Sequence, residues 1–312
     1  MFTRRDFGKL ALAGVPASLL TGATDGGVRL GASTYSFREM VRTPGQDNVD
    51  DVIAALKFAG VSEIELHSAN TEPAGPNSGP AVPPPPSAYP PPIRAPSKEE
   101  VAAAQRVVRN DLRQWRLRTP TESYNSIRAK FQSAGIGLFA YRVDYDAQFT
   151  EEEMDVTFRQ AKALGVEVMA TLMPLSGAPR LAPFAEKYAM TVALHNGPRD
   201  TAAQLPGALA ASKRFRINLD IGNFTAANQE AVAFVQENQA AISHIQIKDR
   251  TRNGGGNERF GEGDTPIKQV LGLLKGKKTA IPAFVEYEYL GLGTPREEVR
   301  KCMAYARSCL AG

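Results

Sequence analysis

Histidine is scarce in this chain: three residues in 312. Cysteine is scarcer still, with Cys302 and Cys309 alone, and there is a single tryptophan. Two cysteines exclude a disulfide framework and any multi-cysteine structural zinc site. Their spacing of seven in a helical pattern would set the Cα atoms about 10 Å apart. A disulfide needs less than about 7 Å, so both are expected as free thiols packed like small apolar groups. Charge of one sign is also lacking. The formal net charge is only +4, and basic residues are spread rather than blocked. That excludes a nucleic-acid footprint and a polybasic membrane patch. No apolar run is long enough for a comfortable membrane span, so stable membrane insertion is not expected.

What is present begins with the N-terminus. Thr3-Arg4-Arg5-Asp6-Phe7-Gly8-Lys9 precedes a short apolar run, LALAGVPASLL, and small residues around Gly22-Ala23-Thr24. Residues 1–26 resemble a twin-arginine export signal, which implies a protein folded in the cytoplasm and exported to the periplasm. The mature chain, residues 27–312, holds 43% hydrophobic and 22% charged residues over the full sequence, the composition of a globular protein with a full core.

Strand-like and helix-like stretches alternate along it. The strand candidates are Val28–Ser36, Val61–His67, Ile136–Val143, Val166–Thr171, Met190–His195, Phe215–Asp220, Ile242–Lys248 and Ala283–Glu288. Each precedes a helical pattern. Eight such units predict an α/β fold, a (β/α)8 TIM barrel. The alternative, an open doubly wound sheet, lacks a glycine fingerprint after the first strand. Capping boxes mark helix starts at Ser97–Glu100 and Thr150–Glu153, and Thr294-Pro295 marks another. Val299, Cys302, Met303, Ala306 and Leu310 form one apolar stripe on the last helix.

The stretch Pro73–Pro96 breaks the alternation, holding eleven of the 22 prolines. It follows the second strand, and with the helix expected at Lys98–Trp115 it makes residues 73–120 an insertion on the catalytic face. A lid, a solvated proline-rich decoration and a contact between copies of the chain in a homo-oligomer all fit such a segment.

All three histidines sit at or near strand ends: His67, His195 and His244. Strand alternation adds carboxylates, an amide and an amine to the same interior. Glu65, His67, His195, Asp220, His244, Gln246, Lys248, Glu286 and Glu288 should face inward, opposite the apolar set. Ionisable groups inside a barrel are costly unless paired or bound to a metal. Carboxylates mixed with imidazole and amide suit a divalent ion such as Mn²⁺, Mg²⁺, Co²⁺ or Zn²⁺.

The stretches GASTYSF, EIELHSAN, VALHNGP, INLDIGNF, SHIQIKDR, GEGDTPI and FVEYEY together resemble the xylose-isomerase-like barrels of the sugar phosphate isomerase/epimerase family. The resemblance runs from about Val28 to the C-terminus. It implies a divalent ion held by His195, Asp220, Gln246 and Glu286, from strands five to eight. It implies a small-molecule carbohydrate substrate and proton transfer beside a carbonyl through an enediolate. Glu286, Glu65 and His67 are then the catalytic candidates. Asn196, His244, Lys248, Arg250 and Glu288 are the substrate-binding candidates, with Arg250 or Arg252 as a dock for a phosphate or acidic sugar. Two departures stand out: Gln246 occupies the usual strand-seven His position, and strand five ends in His195-Asn196 instead of a Glu. They keep open a metal-dependent lyase or hydratase on a keto-glycoside, and a non-catalytic carbohydrate-binding barrel. A nuclease of the same fold is disfavoured by too few histidines.

Overall fold

The computed structural model describes residues 24–74, 97–277 and 279–311. The stretch that resembles an export signal therefore lies almost wholly outside the described residues, as does all of Pro73–Pro96 but its first two positions. Among the described residues no helix is long and apolar enough to cross a membrane.

Eight parallel strands close into a barrel: β1 Val28–Ser33, β2 Glu63–His67, β3 Gly137–Arg142, β4 Val168–Leu172, β5 Thr191–His195, β6 Phe215–Asp220, β7 Ile242–Ile247 and β8 Ala283–Val285. Neighbours pair in sequence order, and β1 closes the ring by pairing with both β2 and β8. This is the TIM barrel that the alternation predicts. Two strand-end differences matter at the mouth. The first strand stops at Ser33 and a 3-10 turn, Thr34–Phe37, takes over. The last stops at Val285, so Glu286 and Glu288 stand on loop backbone just past it.

The alternation sorts the two sides as expected. Leu30, Ile64, Leu66, Ile217, Leu219, Ile245, Ile247 and Val285 lie in the outer core under the helices. Inside, Phe139, Ala140, Val168, Ala170, Ala193 and Phe284 form a separate apolar plug. Gly31 makes room for it, since a Cβ there would lie 2.7 Å from the Phe284 ring. The register shifts between β2 and β3 at Ile64/Glu65, which skips Phe139 in the pairing. Bulges of this kind re-aim side chains within a barrel.

Both expected capping boxes form, Ser97 with Glu100 and Thr150 with Glu153. They start α2, Lys98–Arg118, and α4, Glu151–Leu164; α1 is Val49–Ala59 and α3 is Glu122–Ser133. The insertion helix α2 is fastened to the barrel by ion pairs. Arg109 binds Glu153 through two hydrogen bonds of 2.8 and 2.9 Å, and Arg116 binds Glu72 at 2.7 and 3.1 Å. Both guanidinium groups also lie over the Phe149 ring. Cys302 and Cys309 are buried free thiols, and the apolar stripe of the last helix is buried.

Candidate active site

Inward-facing polar residues divide into two levels. The deeper level is built on Glu65, which is fully buried. Its carboxylate accepts from Ser33 Oγ at 3.0 Å, Asn218 Nδ2 at 3.0 Å and Gln246 Nε2 at 2.5 Å, and pairs with His244 Nε2 at 2.9 Å. His244 in turn stacks edge-on against Phe139 and Phe284 of the plug. Four partners saturate a carboxylate with about four lone-pair sites. Glu65 and His244 thus organise the floor of the site. Glu65, expected to move protons, and His244, expected to bind substrate, are here bound to each other within this network.

The upper level surrounds Lys248. Its ammonium lies 2.9 Å from Asp220 Oδ2, 2.7 Å from Glu286 Oε2 and 2.8 Å from Glu288 Oε2. Burial alone would lower the Lys248 pKa, but the three carboxylates outweigh it and keep the amine protonated. Burial also lifts Asp220 to about 6, against the pull of Lys248. Glu286 moves the other way: burial pushes it up, and Lys248 and Arg142 outweigh that to hold it below the usual range. His195, 3.6 Å from Asp220 Oδ2, is kept neutral by burial and by the charge of Arg142.

Arg142, at the end of β3, completes the ring. Its Nη1 donates to Glu286 Oε1 at 2.9 Å, and its Nε and Nη2 donate to Asp144 at 2.9 and 3.2 Å. Asp144 faces His67, with Oδ2 3.4 Å from Nε2. His67 Nδ1 accepts the Ala69 amide at 3.2 Å, which leaves the Nε2 proton toward Asp144. Tyr35 packs its ring 5.1 Å from His67 and under Arg142. Arg142, Asp144 and Tyr35 were missed by the sequence reasoning. Arg142 had a signal: it alternates inward with Ala140 at a strand end, opposite Tyr141 and Val143. Asp144 lies on the loop after β3, and Tyr35 lies in the 3-10 turn that replaces the end of the expected first strand, where strand alternation no longer holds.

Several expected substrate contacts are spent on the scaffold. Asn196 latches β5 to β6, donating to the Asp220 carbonyl at 3.1 Å and accepting its amide at 2.8 Å. Arg250 donates to Asn223 Oδ1 at 2.7 Å and to the Gly255 carbonyl at 2.6 Å. Arg252 pairs with Glu230 at 2.9 Å. The Arg250 guanidinium is thus engaged by the scaffold, whereas the Arg252 pair is exposed. Asp249 is buried, and its carboxylate accepts the amides of Gly261, Gly263 and Thr265 at 2.7, 3.1 and 3.1 Å. The adjacent Lys and Asp of the KD pair therefore have separate tasks. Lys248 points into the mouth, while Asp249 pins the GEGDTPI loop.

The four residues implied for a divalent ion do not form a cation site of their own. Asp220 and Glu286 converge, with His195 beside them, but on the Lys248 ammonium. Gln246 turns its amide nitrogen to Glu65. Among the described residues no three His, Cys, Asp or Glu side chains are grouped to hold a metal ion.

No match stands among curated proteins. Solved structures of the same fold are similar over most of the chain. A sugar phosphate isomerase/epimerase from Parabacteroides distasonis is 14% identical, covering 94% of this chain and 98% of its own, with a TM-score of 0.59. The 3-keto-D-glucoside 4-epimerase of E. coli is 12% identical, covering 90% and 100%, with a TM-score of 0.59. The IolI protein, solved with a bound zinc atom, is 14% identical, covering 90% and 98%, with a TM-score of 0.59. Identities this low show the fold alone. Residues 175–309, which carry Asp220, Lys248 and Glu286, match the family model described as xylose isomerase-like TIM barrel, and in fold the whole described chain is a TIM barrel.

Proposed function

We propose that the chain is an isomerase or epimerase of a sugar or sugar derivative, moving a proton on the carbon beside a carbonyl through an enediolate. The observation that carries this reading is the ring of Lys248 and Arg142 with Asp220, Glu286 and Glu288 at the C-terminal mouth of the barrel. Active sites of this fold sit at that face. Fixed cations in a site shielded from water stabilise the oxygen on which negative charge develops.

An ammonium has three N–H donors, and three carboxylates surround this one. A substrate oxygen that binds Lys248 must take the place of one of them. Glu288 is the one to yield, since its side chain is 19% exposed while Glu286 and Asp220 are at 1% and 0%. Released from Lys248, its carboxylate is a base for the carbon-bound proton. His67, facing Asp144, is the second proton carrier. Glu286 stays clamped between Lys248 and Arg142 and orients both.

The substrate class follows from what is already engaged. Arg250 is bound within the protein, which favours an unphosphorylated sugar or a keto-glycoside at the mouth. An exported protein, as the N-terminal signal implies, would meet such compounds in the periplasm. The same occupancy favours a second reading. In a keto-glycoside, loss of a β-substituent from the enediolate is elimination, with His67 protonating the departing oxygen.

Proton NMR in D2O separates these readings on a panel of ketoses, aldoses and 3-keto-glycosides. Deuterium should enter the carbon beside the carbonyl, and His67→Gln and Glu288→Gln should each slow this by about 100-fold or more. An unsaturated product with release of the aglycone would establish elimination instead. Saturable sugar binding with neither outcome would overturn both and leave a binding barrel.

A further inference from the structure

We propose that Lys248 is the resident cation of this site, its ammonium standing at the point where the barrel's carboxylates converge and where a barrel of this architecture could hold a divalent ion. The inference rests on the proposed location of the site but not on its reaction.

Four observations on separate elements support it. First, the ammonium lies within 2.9 Å of oxygens from Asp220, Glu286 and Glu288, the range of charge-assisted hydrogen bonds. A metal ion would need the same oxygens at about 2.0–2.2 Å, so both cations cannot share them. Second, the path of the Lys248 stem is cleared by Gly222. A Cβ at Gly222 would collide with Lys248 Cγ and lie 2.7 Å from the Lys248 carbonyl oxygen. The small residue after Asp220-Ile221 is therefore fitted to this side chain. Third, the Gln246 amide nitrogen is bound to Glu65 below, and its amide oxygen is a neutral donor. A side chain donating its N–H₂ downward to the floor helps to support Glu65 but adds no anionic donor above. Fourth, the backbone is braced directly after the lysine. Asp249 binds three amides of the following loop, which fixes where Lys248 leaves the strand.

Lys248 and Arg142 face Asp220, Glu286, Glu288 and Asp144. Removing the ammonium would leave three carboxylates around one point, a strongly unfavourable gathering unless another cation enters. Lys248 thus defines a hidden metal site as much as it fills it. The chain differs in this from a barrel that recruits its cation from solution, and its chemistry would not depend on metal supply.

The test is metal stoichiometry, read without substrate. Wild-type protein, dialysed against Zn²⁺ or Mn²⁺ and then desalted, should carry a substoichiometric amount by elemental analysis, and EDTA should leave its thermal midpoint unchanged. Lys248→Ala should gain one tightly held ion per chain. Added Zn²⁺ should raise the midpoint of that variant by several degrees, as expected for a ligand that binds only the folded state. Gly222→Ala, which pushes the lysine stem aside, should show the same gain in weaker form. One chelator-sensitive ion per wild-type chain, lost in Asp220→Asn, would overturn the inference, whether or not the Lys248 variant folds. Deuterium exchange by a metal-loaded wild type would then uphold the proposed reaction while sinking the role of Lys248.

Discussion

Arg142 and Glu286 are 144 residues apart in the chain, and their side chains meet at 2.9 Å inside the barrel. This one contact joins the third strand to the far side of the ring. It also couples the two halves of the mouth. On one side Glu286 holds Lys248; on the other, Arg142 holds Asp144 and, through it, His67. A proton-moving site needs groups of opposite sign held apart in fixed geometry, and this bridge is what fixes them.

Glu65 should behave as a structural residue. Glu65→Gln replaces a four-fold acceptor by an amide whose nitrogen faces other donors. Loss of stability of about 3 kcal/mol is expected, the scale for breaking one partner of a buried polar network. Urea unfolding measures it. A stable Glu65→Gln variant that had lost only turnover would return Glu65 to the catalytic group.

Asp249 should matter through the loop it pins. Asp249→Ala leaves three amides, those of Gly261, Gly263 and Thr265, without their acceptor. A loss on the order of 3 kcal/mol follows from the usual cost of stranded donors. Limited proteolysis should find new cleavage between residues 254 and 263. An unchanged cleavage pattern would show that the loop is held elsewhere.

Acid should weaken the attachment of the insertion helix. Burial pushes the Glu153 carboxyl up, but the Arg109 bonds, the Thr150 amide and Arg116 outweigh it, so its pKa lies below the ordinary 4.5. A carboxylate lowered on folding stabilises the protein above its ordinary pKa, and that contribution is lost as pH falls below about 4.5. The thermal midpoint should therefore drop between pH 5 and pH 3. In Glu153→Gln it should start lower at pH 7 and fall less steeply. Parallel curves for the two proteins would refute the assignment.

Much of this protein was legible before its structure. Eight strands, both capping boxes and the outer apolar faces followed from local periodicity, because a period of two and a period near 3.6 are written into neighbouring residues. The free thiols followed from spacing alone. The site was half legible. Alternation sent Glu65, His67, Asp220, Lys248 and Glu286 inward correctly, yet it could not say how deep each would sit. Asn196 and Arg250 looked like ligand contacts because both are polar residues at the mouth. In the structure both are bound to backbone and side chains of neighbouring segments.

By itself, then, the sequence determined the barrel and the inward set, since both depend on order along the chain. Tertiary structure decided the rest. Closure and register brought Arg142 to Glu286 and sank Glu65 onto Ser33, Asn218, His244 and Gln246. Packing around the glycine at 222 let Lys248 reach the place where carboxylates from β6 and from just beyond β8 converge. Such pairings depend on strand stagger and on the room left by absent side chains. Neither is written in any single stretch of residues.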